Sequence, residues 1–367
     1  MKRFRGGVRG SCHSSPLNVL RAPFSSVVLY TAMIAITGAS GLVGGNLARA
    51  LLAQGREVRA LIHRDRRALE GLDLQLVQAD VRDLDSLCSA LEGAQVVYHL
   101  AGRISLEMDS WNELQAVNVQ GTRNVVAACL QCGVPRLVHF SSVHALEQAP
   151  LDSPLDESRR RISSPGYTPY ARSKALEELE VYNGIGRGLS AVILNPTAIL
   201  GPYDYYPSYL GQAIIDLAKG RIPALVPGGF DWVDVRDVVQ GAIQAEKLAS
   251  SGTHYLLSGN WHSVRQVADL VAELTGRSAP RLTVPFGIAY QSAPLMGWLA
   301  RFLGFGPLYT RVSLDALQSN RNISHAKASR ELLYNPRPFR ETLGDTLDWF
   351  ARNGYLDRAS NRQIRPD

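Results

Sequence analysis

The sequence predicts an α/β fold in which a doubly wound, mostly parallel sheet is followed by a smaller, irregular α/β region. Three observations carry this. From Met33 short apolar runs alternate with helical stretches, a glycine-rich turn separates the first run from the first helix, and the regularity ends after Pro196 in Pro/Gly-rich chain. Strands separated by helices imply right-handed crossovers and a sheet covered on both faces.

The first strand is Ile34 to Thr37. Leu42 to Gln54 follows as a helix, with Leu42, Val43, Leu47, Ala50 and Leu51 at helical spacing and Gly55 closing it. Further strands are expected at Val58 to Ile62, Gln75 to Gln78, Val96 to Leu100, Leu137 to Phe140 and Ala191 to Leu194. Helices between them fall at Leu84 to Leu91, Trp111 to Cys132 and Tyr170 to Tyr182. Beyond Pro196, helices are expected at Leu210 to Lys219, Val235 to Leu248 and Val264 to Thr275, among Pro/Gly-rich loops that return over the carboxyl edge of the sheet. Leu282 to Phe305 is the most apolar stretch, but Pro285, Gln291, Pro294 and Arg301 interrupt it. It is therefore expected to pack over a pocket; a membrane contact is not expected.

The chain has 367 residues, of which 46% are hydrophobic and 20% charged, a composition that excludes a disordered protein. The expected division is an extension over 1–32, a doubly wound domain over 33–195, a smaller irregular region over 196–356 with segments returning to the first domain, and a tail over 357–367. Cys12, Cys88, Cys129 and Cys132 are too few for a disulfide framework and fit reduced thiols in the cytoplasm. Cys129-x-x-Cys132 has no second pair and sits on a helical pattern, so core thiols are expected and no metal.

The net charge is +6, yet residues 1–32 carry Lys2, Arg3, Arg5, Arg9 and Arg21 and no acid, leaving 34 bases against 33 acids from Met33 onward. The body is nearly neutral. It shows no basic run with interleaved aromatics, which argues against a nucleic-acid partner. The acid-free first segment has the composition of an organellar transit peptide or of an upstream extension outside the native fold. The second is favoured because a strand and a glycine loop begin at once after Met33.

In Thr37-Gly38-Ala39-Ser40-Gly41-Leu42-Val43-Gly44, Gly38 permits a tight turn, Gly41 lets backbone amides approach a pyrophosphate, and Gly44 lets the helix pack on the strand. In this strand–turn–helix setting the pattern marks a Rossmann-type dinucleotide site. The second strand ends Leu61-Ile62-His63-Arg64-Asp65, where Arg64 is suited to a 2′-phosphate and Asp65 to ribose hydroxyls. NADP is expected ahead of NAD. Tyr170 and Lys174 stand at i and i+4 on one helix face, after Thr168 as cap and Pro169 as first residue. A lysine ammonium and a bound nicotinamide cation both favour phenolate, so such a tyrosine, ordinarily titrating at about 10, is expected to approach working pH and act as general acid or base. At the end of the fifth strand either Ser141 or Ser142 is placed to hydrogen-bond a substrate oxygen, and His144 is an alternative proton carrier.

These residues resemble a family. The glycine loop, Asp80-Val81, His99-Leu-Ala-Gly102, Asn118-Val-Gln-Gly-Thr122, Ser141-Ser142, Tyr170-x-x-x-Lys174, Asn195-Pro196 with Gly201-Pro202, and Val233-Asp-Val-Arg-Asp237 look like the extended short-chain dehydrogenase/reductases, also called the NAD-dependent epimerase/dehydratase family. The resemblance runs from Met33 to about Leu356 and is greatest to the dihydroflavonol-reductase-like branch, with its 3β-hydroxysteroid dehydrogenases, aldehyde reductases and hopanoid-associated sugar epimerases. It implies Ser142 as the catalytic hydroxyl, Tyr170 as acid/base and Lys174 as its partner. The implied cofactor contacts are Gly38, Ser40, Gly41, Leu42 and Val43 of the loop, His63 or Arg64 after the second strand, Asp80 and Val81 at the adenine, Ala101 and Gly102 at the ribose-phosphate side, Asn118, Tyr170 and Lys174, and Pro196 at the nicotinamide.

Nucleotide-sugar members of the family neutralise a diphosphate with an arginine where this chain has Phe230, and with a second in a C-terminal pattern that the Arg321 to Arg330 stretch lacks. The expectation is therefore an NAD(P)-dependent oxidoreductase acting on a carbonyl or alcohol of a mainly apolar small molecule, in a pocket built from Trp232, Tyr203, Tyr205, Tyr206 and the Leu282 to Phe305 segment. A sugar epimerase/dehydratase is the alternative, and a non-catalytic redox-sensing module the next. The amphipathic helices of such sheets often pair, so a homodimer is one expectation. A chain beginning at Met33 should fold and bind dinucleotide as the full chain does, because residues 1–32 offer no apolar face to bury; titration of both forms with NADPH checks this.

Overall fold

The structure, a computed structural model, describes residue 1 and residues 32–63, 65–106, 111–302 and 310–356. In chain order, β1 (Ile34–Thr37), α1 (Leu42–Ala53), β2 (Val58–Ile62), β3 (Gln75–Gln78), α2 (Leu84–Leu91), β4 (Val96–His99), α3 (Trp111–Leu114), α4 (Gly121–Gln131), β5 (Arg136–Phe140), α5 (Pro169–Gly186) and β6 (Ala191–Pro196) build the first part. The remainder runs β7 (Ala198–Leu200), α6 (Tyr209–Ala218), β8 (Ala224–Leu225), β9 (Gly229–Asp234), α7 (Val235–Leu248), β10 (His254–Leu257), β11 (Asn260–Ser263) and α8 (Val264–Thr275). It ends in β12 (Leu282–Thr283), α9 (Phe286–Phe302), α10 (Arg311–Ala316), α11 (Ala326–Leu332) and α12 (Phe339–Arg352).

A seven-stranded parallel sheet has the order β10-β6-β5-β4-β1-β2-β3. Every residue of β1, β4 and β6 is buried, as strands covered on both faces require. On one face, Leu47 and Leu51 of α1 meet Val238 and Ala242 of α7; on the other, Leu87 of α2, Val125 of α4 and Val181 of α5 close the layer. The strand order reverses between β4 and β1, which opens a crevice at their carboxyl ends. A second core gathers α6, α8 and α12 around Leu343, Leu347 and Phe350, beside the small sheets β11-β9-β7 and β12-β8.

The structure corrects several expectations. The stretch from Trp111 is not one α-helix, because Gln115–Gln120 between α3 and α4 is π-helical. That wide turn carries Asn118 inward to full burial. Regular strands continue past Pro196, where none was expected; one of them, β10, is a segment of 196–356 that returns, as expected, and pairs with β6 at the edge of the main sheet. The described part of the Leu282 to Phe305 segment backs a cavity wall: Ala289 and Ala293 of α9 pack on Val226 and Leu314, which line the cavity. Residues 303–305 lie outside the described residues. No helix among the described residues is long and apolar enough to cross a membrane.

Tyr203, Tyr205 and Tyr206 also leave the expected pocket. Tyr203 adopts φ +68, and the chain turns back over α1, where Asn46 Nδ2 donates to the Pro202 carbonyl at 3.0 Å. The Arg49 guanidinium lies 4.5 Å over Tyr203, Arg67 lies 5.1 Å over Tyr206, and Tyr205 meets Trp349 at 5.0 Å.

The β1–α1 turn depends on glycine. Gly38 has φ +69, and a Cβ there would stand 2.6 Å from the Ala101 nitrogen; at Gly44 it would stand 2.6 Å from Ala39 Cα. Gly38→Ala should lower unfolding free energy by about 1–3 kcal/mol and weaken dinucleotide binding, since neither backbone can give way. Gly186→Ala, in open space on α5, should stabilise by up to about 1 kcal/mol. Urea unfolding of both variants checks the contrast.

Candidate active site

At the crevice, α1 starts from Gly41 with no side chain capping it and no acid in its first turn. Its leading N–H groups, together with the positive end of the helix dipole, suit an anion. A Cβ at Gly41 would meet only the Gly38 carbonyl, at 3.4 Å, so the front of the turn is open. Ser40 is half-buried in the turn, and Gly38, Gly41, Leu42 and Val43 line the cavity. These features fit a dinucleotide pyrophosphate. At the end of β4, Thr37 Oγ1 accepts from the Leu100 and Ala101 nitrogens at 3.2 Å each. Gly102 lies where a Cβ would be 3.6 Å from Asn118 Oδ1 and 3.7 Å from Lys174 Nζ, so the three converge. Asn118 is held by the Arg103 backbone and by Ser173 Oγ, the latter at 2.9 Å.

After β2, exposed His63 lies 3.5 Å from Asp80, and Asp80 accepts from Arg82, which pushes its carboxyl down to about 2. Val81 packs beneath Gly121, with its carbonyl accepting from Asn124. Arg64 lies outside the described residues. Asp65 is tied to Arg67 at 2.6 Å, which holds its carboxyl below the usual range.

Thr168 Oγ1 accepts from the Ala171 nitrogen at 3.3 Å, and Pro169 opens α5. One turn then sets Tyr170 and Lys174 against the end of β5, where Lys174 Nζ donates to the Phe140 carbonyl at 3.0 Å. Ser142 is 7% exposed, and its hydroxyl accepts from the His144 nitrogen at 3.2 Å. Ser141 Oγ is buried without a partner among the described residues. Burial raises the Tyr170 titration above its ordinary value, although Lys174 and Ser142 pull it down. The expected lowering by Lys174 is thus present but outweighed. His144, half-buried, stands edge-on to Tyr170 at 6.3 Å, and burial lowers its pKa. Pro196 ends β6 on the cavity wall.

Three further groups at the site were not expected from the sequence. Glu178 takes Arg161 Nε at 2.8 Å and Asn195 Nδ2 at 2.6 Å, and Asn195 also donates to the Ser142 carbonyl at 3.0 Å, which braces the serine turn. Glu177 and His139 are buried beside Lys174. The spacing Lys174-x-x-Glu177-Glu178 carries a signal for the acids, because i+3 and i+4 on a helix place a carboxylate beside the lysine.

From Tyr170 and Lys174 a cavity of about 670 Å³ runs between α6, β9 and α10. Its far walls are apolar, with Leu210, Ile214, Val226, Phe230, Trp232 and Leu314. Charged residues on the lining are Lys174, Arg103, Asp231 and Asp315; Lys174 is paired with Glu177 and Arg103 with Glu113, at 2.5 and 2.8 Å.

The chain matches the NAD dependent epimerase/dehydratase family over residues 34–257. Sterol demethylase protein B of Methylococcus capsulatus is 38% identical over 325 residues, covering 88% of this chain and 99% of that protein. A putative dihydroflavonol 4-reductase of Synechocystis sp. is 32% identical, with 88% and 95% covered. The crystal structure of gox2253 superposes with a TM-score of 0.78 at 33% identity, over 89% of this chain and all of that one. Because the family match spans the whole parallel sheet, from the start of β1 to the end of β10, the chain belongs to the NAD dependent epimerase/dehydratase family and is an NAD(P)-dependent oxidoreductase of the extended short-chain dehydrogenase/reductase type.

Proposed function

We propose that the protein interconverts a carbonyl and an alcohol on a mainly apolar small molecule of fused-ring or comparable size, with Tyr170 as proton carrier. The observation that carries this reading is the cavity, which has Tyr170 and Lys174 at one end and apolar side chains beyond. Among the described lining residues a diphosphate would find no cation without its own acid, and Asp231 and Asp315 would repel it. The sterol and dihydroflavonol named for the two relatives above are of the size and polarity this cavity suits.

Bound NAD(P) supplies hydride donation or acceptance at its nicotinamide ring. Gly38, Ser40, Gly41, Leu42 and Val43 would hold its pyrophosphate; Asp80 and Val81 the adenine; Ala101, Gly102 and Asn118 the ribose side; and Pro196 the nicotinamide. Tyr170 gives its proton to the substrate oxygen in reduction and takes it back in oxidation, while Ser142 hydrogen-bonds that oxygen as charge develops. Burial keeps Tyr170 protonated, the state that reduction needs. Lys174 holds ribose hydroxyls and steadies the phenolate.

NADP is proposed ahead of NAD. Asp65, the acid that would grip ribose hydroxyls, is engaged by Arg67, and His63 and Arg64 follow the β2 residues in the sequence.

Consumption of NADPH and NADH on hydrophobic aldehydes, ketones and hydroxysteroids identifies the substrate. On that substrate Tyr170→Phe should cost at least about 10²-fold in turnover with dinucleotide affinity nearly unchanged, and Lys174→Ala should damage both. Turnover of Tyr170→Phe at the unmutated rate would remove the assignment and bring His144 forward. NADPH should bind more tightly than NADH, and Arg64→Ala should narrow the gap by about 1–3 kcal/mol; equal affinities in the unmutated protein would sink the NADP preference.

A further inference from the structure

One ionisable group in the site has no part in the reaction as proposed. Glu177 is 1% exposed, one helical turn beyond Lys174, and its Oε1 lies 2.5 Å from Lys174 Nζ. The same oxygen is 3.2 Å from His139 Nε2. Behind His139, at 5.2 Å between ring centres, His99 is fixed between Thr37 Oγ1 at 2.8 Å and Thr122 Oγ1 at 2.9 Å. The neighbouring acid, Glu178, is already committed to Arg161 and Asn195.

An ion pair on a helix surface would add little, and a pair this deep costs more to desolvate than an apolar contact of the same volume. Helix stability therefore does not account for Glu177. Lys174 does. A buried amine without a counter-ion sheds its proton, and a neutral lysine would neither steady a phenolate nor bind ribose hydroxyls as a cation. We propose that Glu177 is a positioning residue: it is the fixed counter-ion that keeps Lys174 an ammonium and, with the Phe140 carbonyl, holds that ammonium beside Gly102 and Tyr170.

The surroundings leave this task to Glu177. The groups facing the pair are His99 from β4, His139 from β5, His144 from the turn after β5, and Tyr170 and Glu178 from α5 itself; Asn118 and Thr122, before and on α4, are uncharged. Burial pushes both His99 and His139 down to about 3, so neither brings charge. Burial works to strip the proton from Lys174, yet Glu177, helped by Tyr170 and Glu178, holds it above the ordinary lysine value. Glu177 also works against Lys174 at Tyr170, raising the phenol that the lysine lowers.

The inference rests on Lys174 serving the site as proposed above, and its test needs no substrate. The chain has five lysines, at positions 2, 174, 219, 247 and 327, so side-chain carbon signals of lysine-labelled full-length protein can be followed by NMR, with Lys174 assigned by its loss in Lys174→Met. In the unmutated protein Lys174 should keep its ammonium shift to about pH 10. In Glu177→Gln it should become an amine at least about two pH units lower, and NADPH affinity should fall over the same range. Glu177→Asp, which keeps the charge, should recover most of the difference. A folded Glu177→Gln protein whose Lys174 stays charged to about pH 10 overturns the proposal. Thermal unfolding provides a second arm: Glu177→Gln strands a buried ammonium and should lower Tm, and adding Lys174→Met should restore it. A double variant no more stable than Glu177→Gln alone also overturns it. Turnover by Tyr170→Phe tests the reaction separately, so failure of the counter-ion role and failure of the catalytic reading give different results.

Discussion

The main chain at Gly38 runs so close to the main chain at Ala101 that no side chain fits between them. This contact, across the point where strand order reverses, sets the rest of the site. It fixes where α1 begins, so the amides of the first turn open onto the crevice. Thr37, one residue earlier, ties the end of β4 to β1 through the Leu100 and Ala101 nitrogens and through His99. The ribose side of the expected cofactor path is thereby registered against the phosphate side before any ligand arrives. Helix α5 is held to the same frame by Lys174, which donates to the Phe140 carbonyl, and the serine turn after β5 is tied to β6 by Asn195, which donates to the Ser142 carbonyl.

Where local pattern and tertiary demand coincide, the sequence was a good guide. β1, β2 and β3 have the expected bounds, and α2, α7 and α8 do as well, because caps such as Asp83 and Ser263 and continuous apolar runs speak through neighbours in the chain. The convergence of Gly38, Gly102, Asn118, Ser142, Tyr170 and Lys174 was legible because each follows a strand or lies on a helix of the sheet. β10 was not. Four residues, His254 to Leu257, carry no periodicity, and only pairing with β6 makes them a strand. The tyrosines after Pro202 misled for a related reason: apolar bulk suggested a pocket, but the positive φ at Tyr203 and the bond from Asn46 send them to α1 and α12. Glu177 was hidden because a glutamate in a helix reads as surface until the sheet beneath it is known.

Charge is arranged sparingly at this centre. Arg103 answers Glu113, Lys174 answers Glu177, and the histidines under the site are held neutral by burial. What is left for a ligand is directional hydrogen bonding at one end and contact area at the other. For the apolar substrate proposed above, discrimination would come from the fit of ring edges and methyl groups against Phe230, Trp232 and Leu314, each methylene contributing roughly 1–3 kcal/mol. A polar group carried into that far region would have to match Asp231, whose Oδ1 is already occupied by Thr197 and the Gly259 nitrogen.

The placement of β10 reaches beyond the site. A strand drawn from the far half of the chain seals the edge of β6, and α7, also from that half, covers one face of the sheet. The seven-stranded sheet is thus finished by residues that follow the irregular stretch after Pro196. Shuffling of genes that swapped the C-terminal half wholesale would strip a helix layer and expose an unpaired strand edge, a template for aggregation. Changes to loops and cavity walls leave this strand edge and helix layer intact, whereas exchange of the whole C-terminal half removes both.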